Sequence, residues 1–450
     1  MKKLEYVLSG TSYLRLTNPY TMANPESIAR INKIFDKFFT EDTGHTFSIL
    51  YNALCEKNYG AKLQSFSDHI HKIHADSGGL QAITVGKKIT PEVKKEVYAN
   101  QAEWADVGMC FDQIPVVTQS GRSDRNDTTG RFFDRVNFHK YAKETGENVR
   151  DQLAAFKSKK SKCKPFVILQ GNDIETFLEW ADIILKSVPK DQVHMIGGVA
   201  MGAAALGTGN MEDIIRAYAA SEVPIRDENG ILNLHILGVG SIRRMLPYLI
   251  FQSSGLYKDF HISYDSTTHS RGVETGLYYI LGGISKTGTR THGPGSTLKF
   301  GRDRAVENPL PGFEPLKGDP SADYLTVYND INSIYDMGVS LDELHEILNT
   351  PASKWVEKYG VADKWSESRV AFAAGSVRNF MIEIDKLLKY KDYLLEYATS
   401  IKAHAQYNAL YSVKDRKSFY DNFYNARDIG SNIKSVRISD TVDSAETIFS

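Results

Sequence analysis

Three aspartates in this chain close apolar segments and are followed at once by small or polar residues. Asp76 stands in Ala75-Asp-Ser-Gly-Gly-Leu-Gln81, Asp112 follows Trp104-Ala-Asp-Val-Gly-Met-Cys-Phe111, and Asp265 follows Phe260-His-Ile-Ser-Tyr264. Gln170-Gly171, Gly197-Gly198 and Gly238-Val-Gly240 end other apolar segments in the same way. A carboxylate placed where a strand gives way to a loop, beside glycines that let the backbone approach a ligand, can present an acid at the mouth of a barrel. Each ending also has a plainer reading. Asp-Ser-Gly-Gly is a good turn, Asp265 before Ser-Thr-Thr fits a helix N-cap, and paired glycines suit tight strand–helix packing. Recurrence along the chain is what favours chemistry.

The elements that must position these residues alternate. Apolar runs at 6–9, 71–75, 104–111, 166–169, 193–196, 232–237 and 260–264 are interleaved with helical periodicity at 28–39, 91–101, 174–186, 211–220 and 242–251. Runs too continuously apolar to be half-exposed argue for a parallel sheet covered by helices. A doubly wound sheet satisfies the same pattern. The α/β class with a (β/α)8 TIM barrel is preferred because polar endings follow many different strands, and a barrel gathers all carboxyl ends on one face. The barrel is expected over 1–335, with a Gly-rich basic segment, 286–304, reading as a surface loop. A mainly helical C-terminal extension is expected over 336–450, opened by the capping box Ser340-Leu-Asp-Glu343 and continuing as a helix over 366–400.

Composition narrows the classes. With 42% hydrophobic and 24% charged residues and a formal net charge of −1, the 450-residue chain reads as a globular protein without the global charge of a nucleic-acid binder. Cys55, Cys110 and Cys163 are too widely spaced for a disulfide framework or a Cys-x-x-Cys site, which fits a reducing cytoplasm and no structural metal or cofactor. The N-terminus has too short an apolar run for a signal peptide, and no segment reads as a membrane span.

Taken in order, the endings Asp76-Ser-Gly-Gly-Leu-Gln, Phe111-Asp112, Leu169-Gln170-Gly171, Gly197-Gly-Val-Ala-Met-Gly202, His235-Ile-Leu-Gly-Val-Gly240 and Tyr264-Asp265 resemble the tRNA-guanine transglycosylase family over about residues 4–328. The resemblance implies a (β/α)8 barrel that exchanges guanine in a polynucleotide for a 7-deazaguanine. It makes Asp265 the nucleophile and Asp76 the general acid/base, as in a retaining glycosidase. It puts Ser77, Gly78, Leu80, Asp112, Gln170, Gly197, Gly198, Val199, Leu237 and Gly238 around the base, with Asp112 and Gln170 reading the guanine edge. It also suggests a homodimer. Separately, Gly238 and Gly240 before Arg243 and Arg244 could form a phosphate site.

The departures from that family are informative. Its Cys-x-Cys-x-x-Cys zinc signature is absent, since no cysteine follows Cys163, and Arg271 alone is kept from the basic stretch after the nucleophile. These differences point away from tRNA and toward the branch that resembles the DpdA-like DNA-guanine transglycosylases of phage or bacterial DNA, acting in the host cytoplasm if phage-encoded. Extruding a guanine from duplex DNA calls for a basic rim, for which Arg271, Lys286, Arg290, Lys299, Arg302 and Arg304 are candidates. An ordinary solvated loop is the other reading of that segment. Leu80 and Leu237 replace the family's usual aromatic and Met. Ala203 replaces a Glu linked to aminomethyl-bearing bases, which favours a neutral substituent such as the nitrile of preQ0. Three alternatives remain: a divergent zinc-less tRNA enzyme, a non-catalytic barrel subunit that binds nucleic acid, and an unrelated nucleoside hydrolase.

Overall fold

Apolar runs that cannot leave one face in water close here into a parallel barrel. The computed structural model describes residues 4–9, 25–36, 47–63, 70–79, 88–118, 131–202, 218, 221, 225–239, 259–266, 277–279, 283–284, 290–292, 297–299, 340–361 and 363–389. The first staves are β1 (Leu4–Ser9), β2 (Phe47–Asn52), β3 (Ile70–Asp76) and β4 (Val107–Met109). An antiparallel pair, β5 (Val116–Thr118) and β6 (Arg131–Phe133), intervenes before β7 (Lys164–Leu169), β8 (Gly198–Met201), β9 (Leu232–Ile236) and β10 (Phe260–Ser266). The eight staves pair in chain order and β10 returns to β1, so the ring is closed. The fold is a (β/α)8 barrel with all carboxyl ends on one face.

Helices α1 (Pro25–Phe35), α2 (Tyr59–Leu63), α3 (Pro91–Trp104), α4 (Phe138–Ser158) and α5 (Ile174–Ser187) lie between staves. Their starts follow from sequence. Thr90 accepts from the Val93 amide ahead of Pro91, and Asp173 forms a capping box with Thr176. On α5, Trp180 is fully buried and donates to the Ile168 carbonyl at 3.1 Å, tying the helix to β7.

The staves differ from the sequence reading at two points: β2 (Phe47–Asn52) is a stave that the apolar-run reading does not include, and the run at 193–196 is not the strand expected there. A 3-10 segment, Lys190–Met195, occupies most of the apolar run 193–196, and β8 begins after it at Gly198. Val193 and Met195 are apolar because they pack against the core from that segment. The expected helices at 211–220 and 242–251 fall outside the described residues, apart from Tyr218.

Side chains alternate across each stave, so pairing register fixes what fills the barrel. Glu5 pairs with Ser263 and Val7 with Asp265; Asn52 pairs with Asp76, Leu50 with His74, and Ala200 with His235. Glu5, Ser48, His74, His235 and Ser263 therefore share the inner face and are all buried. Barrel interiors are ordinarily filled by branched aliphatic residues; part of this one is polar.

The segment 286–304, expected as a loop, carries two strands. β11 (Leu277–Tyr279) pairs with β14 (Thr297–Lys299) outside a shorter pair of β12 (Gly283–Ile284) with β13 (Arg290–His292), giving a nested antiparallel ribbon. Glycine and threonine richness hides such a ribbon from apolar-run reading. Helices α6 (Leu341–Asn349), α7 (Ala352–Tyr359) and α8 (Asp363–Lys389) follow. Ser340 and Glu343 form the expected capping box, and Gly360 at φ +83° ends α7. Helix α8 grips the ribbon root: Ser376 Oγ accepts from the Tyr279 amide at 2.9 Å, Asn379 donates to the Tyr279 carbonyl at 3.0 Å, and Phe380 packs edge-on to Tyr6 of β1. Arg30 of α1 meets Glu367 of α8 at 2.7 Å. Residues 390–450 lie outside the described residues. Among the described residues, no helix is long and apolar enough to cross a membrane.

Trp180→Ala removes a filled wall contact and a buried hydrogen bond, and should cost about 3–5 kcal/mol. A urea unfolding curve should show the lowered midpoint; an unchanged midpoint would mean α5 is not held at this contact.

Candidate active site at the carboxyl ends of the strands

The carboxyl face gathers the aspartates that the sequence scatters. Asp76 is the last residue of β3, Asp265 the penultimate residue of β10, and Asp112 lies just past β4. The Asp-Ser-Gly-Gly segment is a turn and also delivers a carboxyl. Gly78 has φ +78°, and a Cβ there would fall 2.6 Å from both Asn52 Oδ1 and Leu54 Cβ, so no larger residue fits. Asn52 braces that corner by accepting from the Leu54 and Cys55 amides, each at 3.0 Å, while the Ala53 amide donates to the Asp76 carbonyl at 2.9 Å. Ser77 is buried, and its hydroxyl makes no hydrogen bond among the described residues.

Amide side chains from two helices hold the strand ends. Gln101 of α3 donates to the carbonyls of Ala75, at 3.1 Å, and Met109, at 2.8 Å. Gln152 of α4 donates to Gln101 Oε1 at 2.9 Å and to the Gly108 carbonyl at 3.1 Å, and Asn148 donates to the Phe111 carbonyl at 3.1 Å. The residues immediately before Asp76 and Asp112 are thus held by the buried amides of Gln101 and Asn148, with Gln152 bracing Gln101.

Gln170 follows β7 and donates from Nε2 to Asp112 Oδ2 at 2.7 Å. Gly202, after β8, makes room for it: a Cβ at 202 would lie 2.0 Å from Gln170 Nε2. Asp265 is buried, and its Oδ1 accepts from the Gly238 amide at 3.0 Å. Gly238 stands at φ +75°, the left-handed turn that aims this amide back at the carboxylate, and Leu237 beside it is partly buried. His235 Nε2 lies 3.3 Å from the same Oδ1.

Burial is the largest effect on Asp76 and pushes its pKa from an ordinary 3.8 to about 7; the charges of Asp112 and Asp265 add to the rise, and hydrogen bonds from the Gly78 and Ser77 amides oppose it. Burial likewise raises Asp112 to about 6, against the hydrogen bond from Gln170. Near neutral pH, Asp76 can therefore both give and take a proton, which is what a general acid/base needs.

No protein-family model matches the chain, and no curated protein matches it.

Of the sequence-derived candidates, Asp76, Ser77, Gly78, Asp112, Gln170, Leu237, Gly238 and Asp265 come together on this face. Gly197, Gly198 and Val199 do not. Gly197 and Gly198 lie at the amino end of β8, where a Cβ would strike Lys164 Cβ at 2.4 Å and the Asn233 carbonyl at 2.6 Å, so their plainer packing role is the one observed. Val199 pairs with Val167 and Leu234 on the face opposite His235, in the barrel wall. Arg290 and Lys299 stand on ribbon strands. Leu80, Gly240, Arg243, Arg244, Arg271, Lys286, Arg302 and Arg304 lie outside the described residues. His235 and Gly202 also reach this site without standing out in the sequence: one reads as a polar position in an alternating strand, the other as the tail of a glycine motif. Among the described residues, no group of three His, Cys, Asp or Glu is placed to hold a metal ion.

Because the folded Asp76 binds its proton more tightly than the unfolded one, its contribution to stability is fully present below 3.8 and is lost as pH rises through about 7. Measured against Asp76→Asn, wild-type stability should therefore fall across that window and level off above it. A flat difference from pH 4 to 8 would remove the raised acid.

Proposed function

We propose that this chain is a DNA-guanine transglycosylase, a glycosyltransferase that exchanges guanine in DNA for a neutral 7-deazaguanine such as preQ0. The observation that carries the proposal is the division of labour between two carboxyls at one barrel mouth: Asp76 is poised to hold a proton near neutrality, and Asp265 is buried against the Gly238 amide. Two carboxyls whose surroundings set them apart serve as acid and nucleophile. The resemblance of the strand endings supplies the substrate class, and the missing zinc signature favours DNA over tRNA.

In the first step Asp265 attacks C1′ of the target nucleotide as the glycosidic bond breaks. The bonding pair leaves with guanine, and the proton on Asp76 goes to the departing base. A sugar–Asp265 ester results. The incoming base then gives its proton to Asp76 and attacks C1′; the ester bond breaks, Asp265 recovers its charge, and two inversions restore the β configuration. Asp112 accepts from the N–H edge of guanine, and Gln170, held by Asp112, donates to O6. Adenine offers the opposite pattern at that edge.

Guanine-labelled duplex DNA, single-stranded DNA and tRNA, each incubated with and without preQ0, test the proposal. Label release from DNA that requires preQ0 is the expected result. Release from tRNA alone would sink the DNA reading, free-base release without exchange would favour a hydrolase, and release from none would favour a non-catalytic binding subunit. Asp112→Asn should lower kcat/KM for guanine exchange about 100-fold, reflecting a charge-assisted hydrogen bond worth about 1.5–3 kcal/mol.

A further inference from the structure

Asp265 rests on a buried polar column that the exchange chemistry above does not use. His235 is fully buried one strand over, on β9; its Nε2 is 3.3 Å from Asp265 Oδ1 and makes no well-formed hydrogen bond among the described residues. Its other nitrogen, Nδ1, sits 2.9 Å from Ser263 Oγ on β10. Beneath it lies His74 of β3, with ring centroids 5.5 Å apart, and both His74 nitrogens also lack a hydrogen bond among the described residues. Under His74 is Glu5 of β1, close to His261 Nε2 at 3.1 Å, Lys72 Nζ at 3.6 Å and the Ser48 hydroxyl. Burial works against the Glu5 charge, but His261, His74 and Lys72 together hold its carboxyl well below the usual range. Burial also lowers His74, with the nearby Glu5 carboxyl opposing that shift.

We propose that His235 is a positioning residue for Asp265: a hydrogen-bond donor, with its tautomer set by Ser263, that aims and holds the nucleophilic carboxylate from below. The inference rests on Asp265 being the nucleophile. An ionised carboxylate can only accept, so the ring hydrogen belongs on Nε2, and the bare Nδ1 then takes the hydroxyl hydrogen of Ser263. Together with the Gly238 amide this gives Oδ1 two donors and leaves Oδ2 for C1′. A buried anion needs such donors, because one left without them is strongly destabilised. Contacts of this kind are commonly long before substrate is bound and shorten in the reacting complex. The ring of His74 packs against His235 with centroids 5.5 Å apart, and Ser263 is the group that sets the orientation of the His235 ring.

Single-turnover formation of the sugar–protein adduct, with a guanine-labelled duplex oligonucleotide and preQ0-driven exchange as a second readout, separates donor from filler. His235→Phe keeps the ring volume and loses the donor; His235→Gln keeps an N–H at similar reach. The expected result is a fall of about 100-fold in kcat for His235→Phe, with KM for DNA within about twofold, recovery to within about tenfold of wild type for His235→Gln, and a smaller loss in the same direction for Ser263→Ala. Thermal melting of each full-length variant checks folding, and Ser263→Ala carries the test if His235→Phe does not fold. Equal rates for His235→Phe, His235→Gln and wild type, or a normal rate for Ser263→Ala, would overturn the positioning role. Asp265→Asn run alongside separates the two readings: adduct that persists in that variant, or none from wild type, removes the nucleophile and the inference with it. A dead Asp265→Asn beside fully active His235 variants removes the inference alone.

Discussion

Crowding three carboxyls, one buried and two partly buried, at one end of a barrel has an energetic consequence that orders the rest of the molecule. A carboxylate loses solvation on burial and is repelled by its neighbours, so the three cannot all remain anions at neutral pH without compensation. The compensation here is uneven. Asp265 takes an amide hydrogen bond at a left-handed glycine, Asp112 takes the Gln170 amide yet is still raised to about 6, and Asp76 is driven up to about 7 by burial first and by Asp112 and Asp265 after it. That inequality gives three similar side chains different surroundings, and the proposed exchange assigns them different tasks.

Holding such a cluster requires backbone that does not give. The staves supply register, but the strand ends are fixed by Gln101, Gln152 and Asn148, whose amides reach from α3 and α4 to the carbonyls beside Asp76 and Asp112. Glycines do the complementary work of close approach. Gly202 admits Gln170, and Gly146 lets α4 press on Ser187 of α5, where a Cβ would meet Ser187 Cβ at 2.6 Å. The barrel interior is polar in part as well: Glu5, Ser48, His74, His235 and Ser263 are buried on its inner face in place of aliphatic packing.

Much of this was legible because a carboxyl or amide that ends an apolar run is visible in one dimension. Asp76, Asp112, Gln170 and Asp265 were found that way, and the barrel followed from the number of such endings. What the pattern missed has physical causes. Val193 and Met195 are apolar because a 3-10 segment packs them against the core, so the run mimicked a strand and drew Gly197 and Gly198 to the wrong end of β8. Helix α4 escaped notice because its buried face includes Thr145, Gly146, Asn148 and Gln152, chosen to hydrogen-bond strand carbonyls and to allow close packing. His235 looks like an ordinary inward position until register sets it beside Ser263 and Asp265, which are contacts between strands that sequence spacing does not reveal.

The most direct test is chemical identification of the atom that holds the sugar. The full-length protein would be incubated with a guanine-containing duplex, quenched in acid, digested, and mapped by mass spectrometry. A nucleotide-mass adduct localised to Asp265 is the predicted result. Base exchange that proceeds with the adduct on another residue, or with no adduct under conditions that preserve acyl-sugar esters, would contradict it.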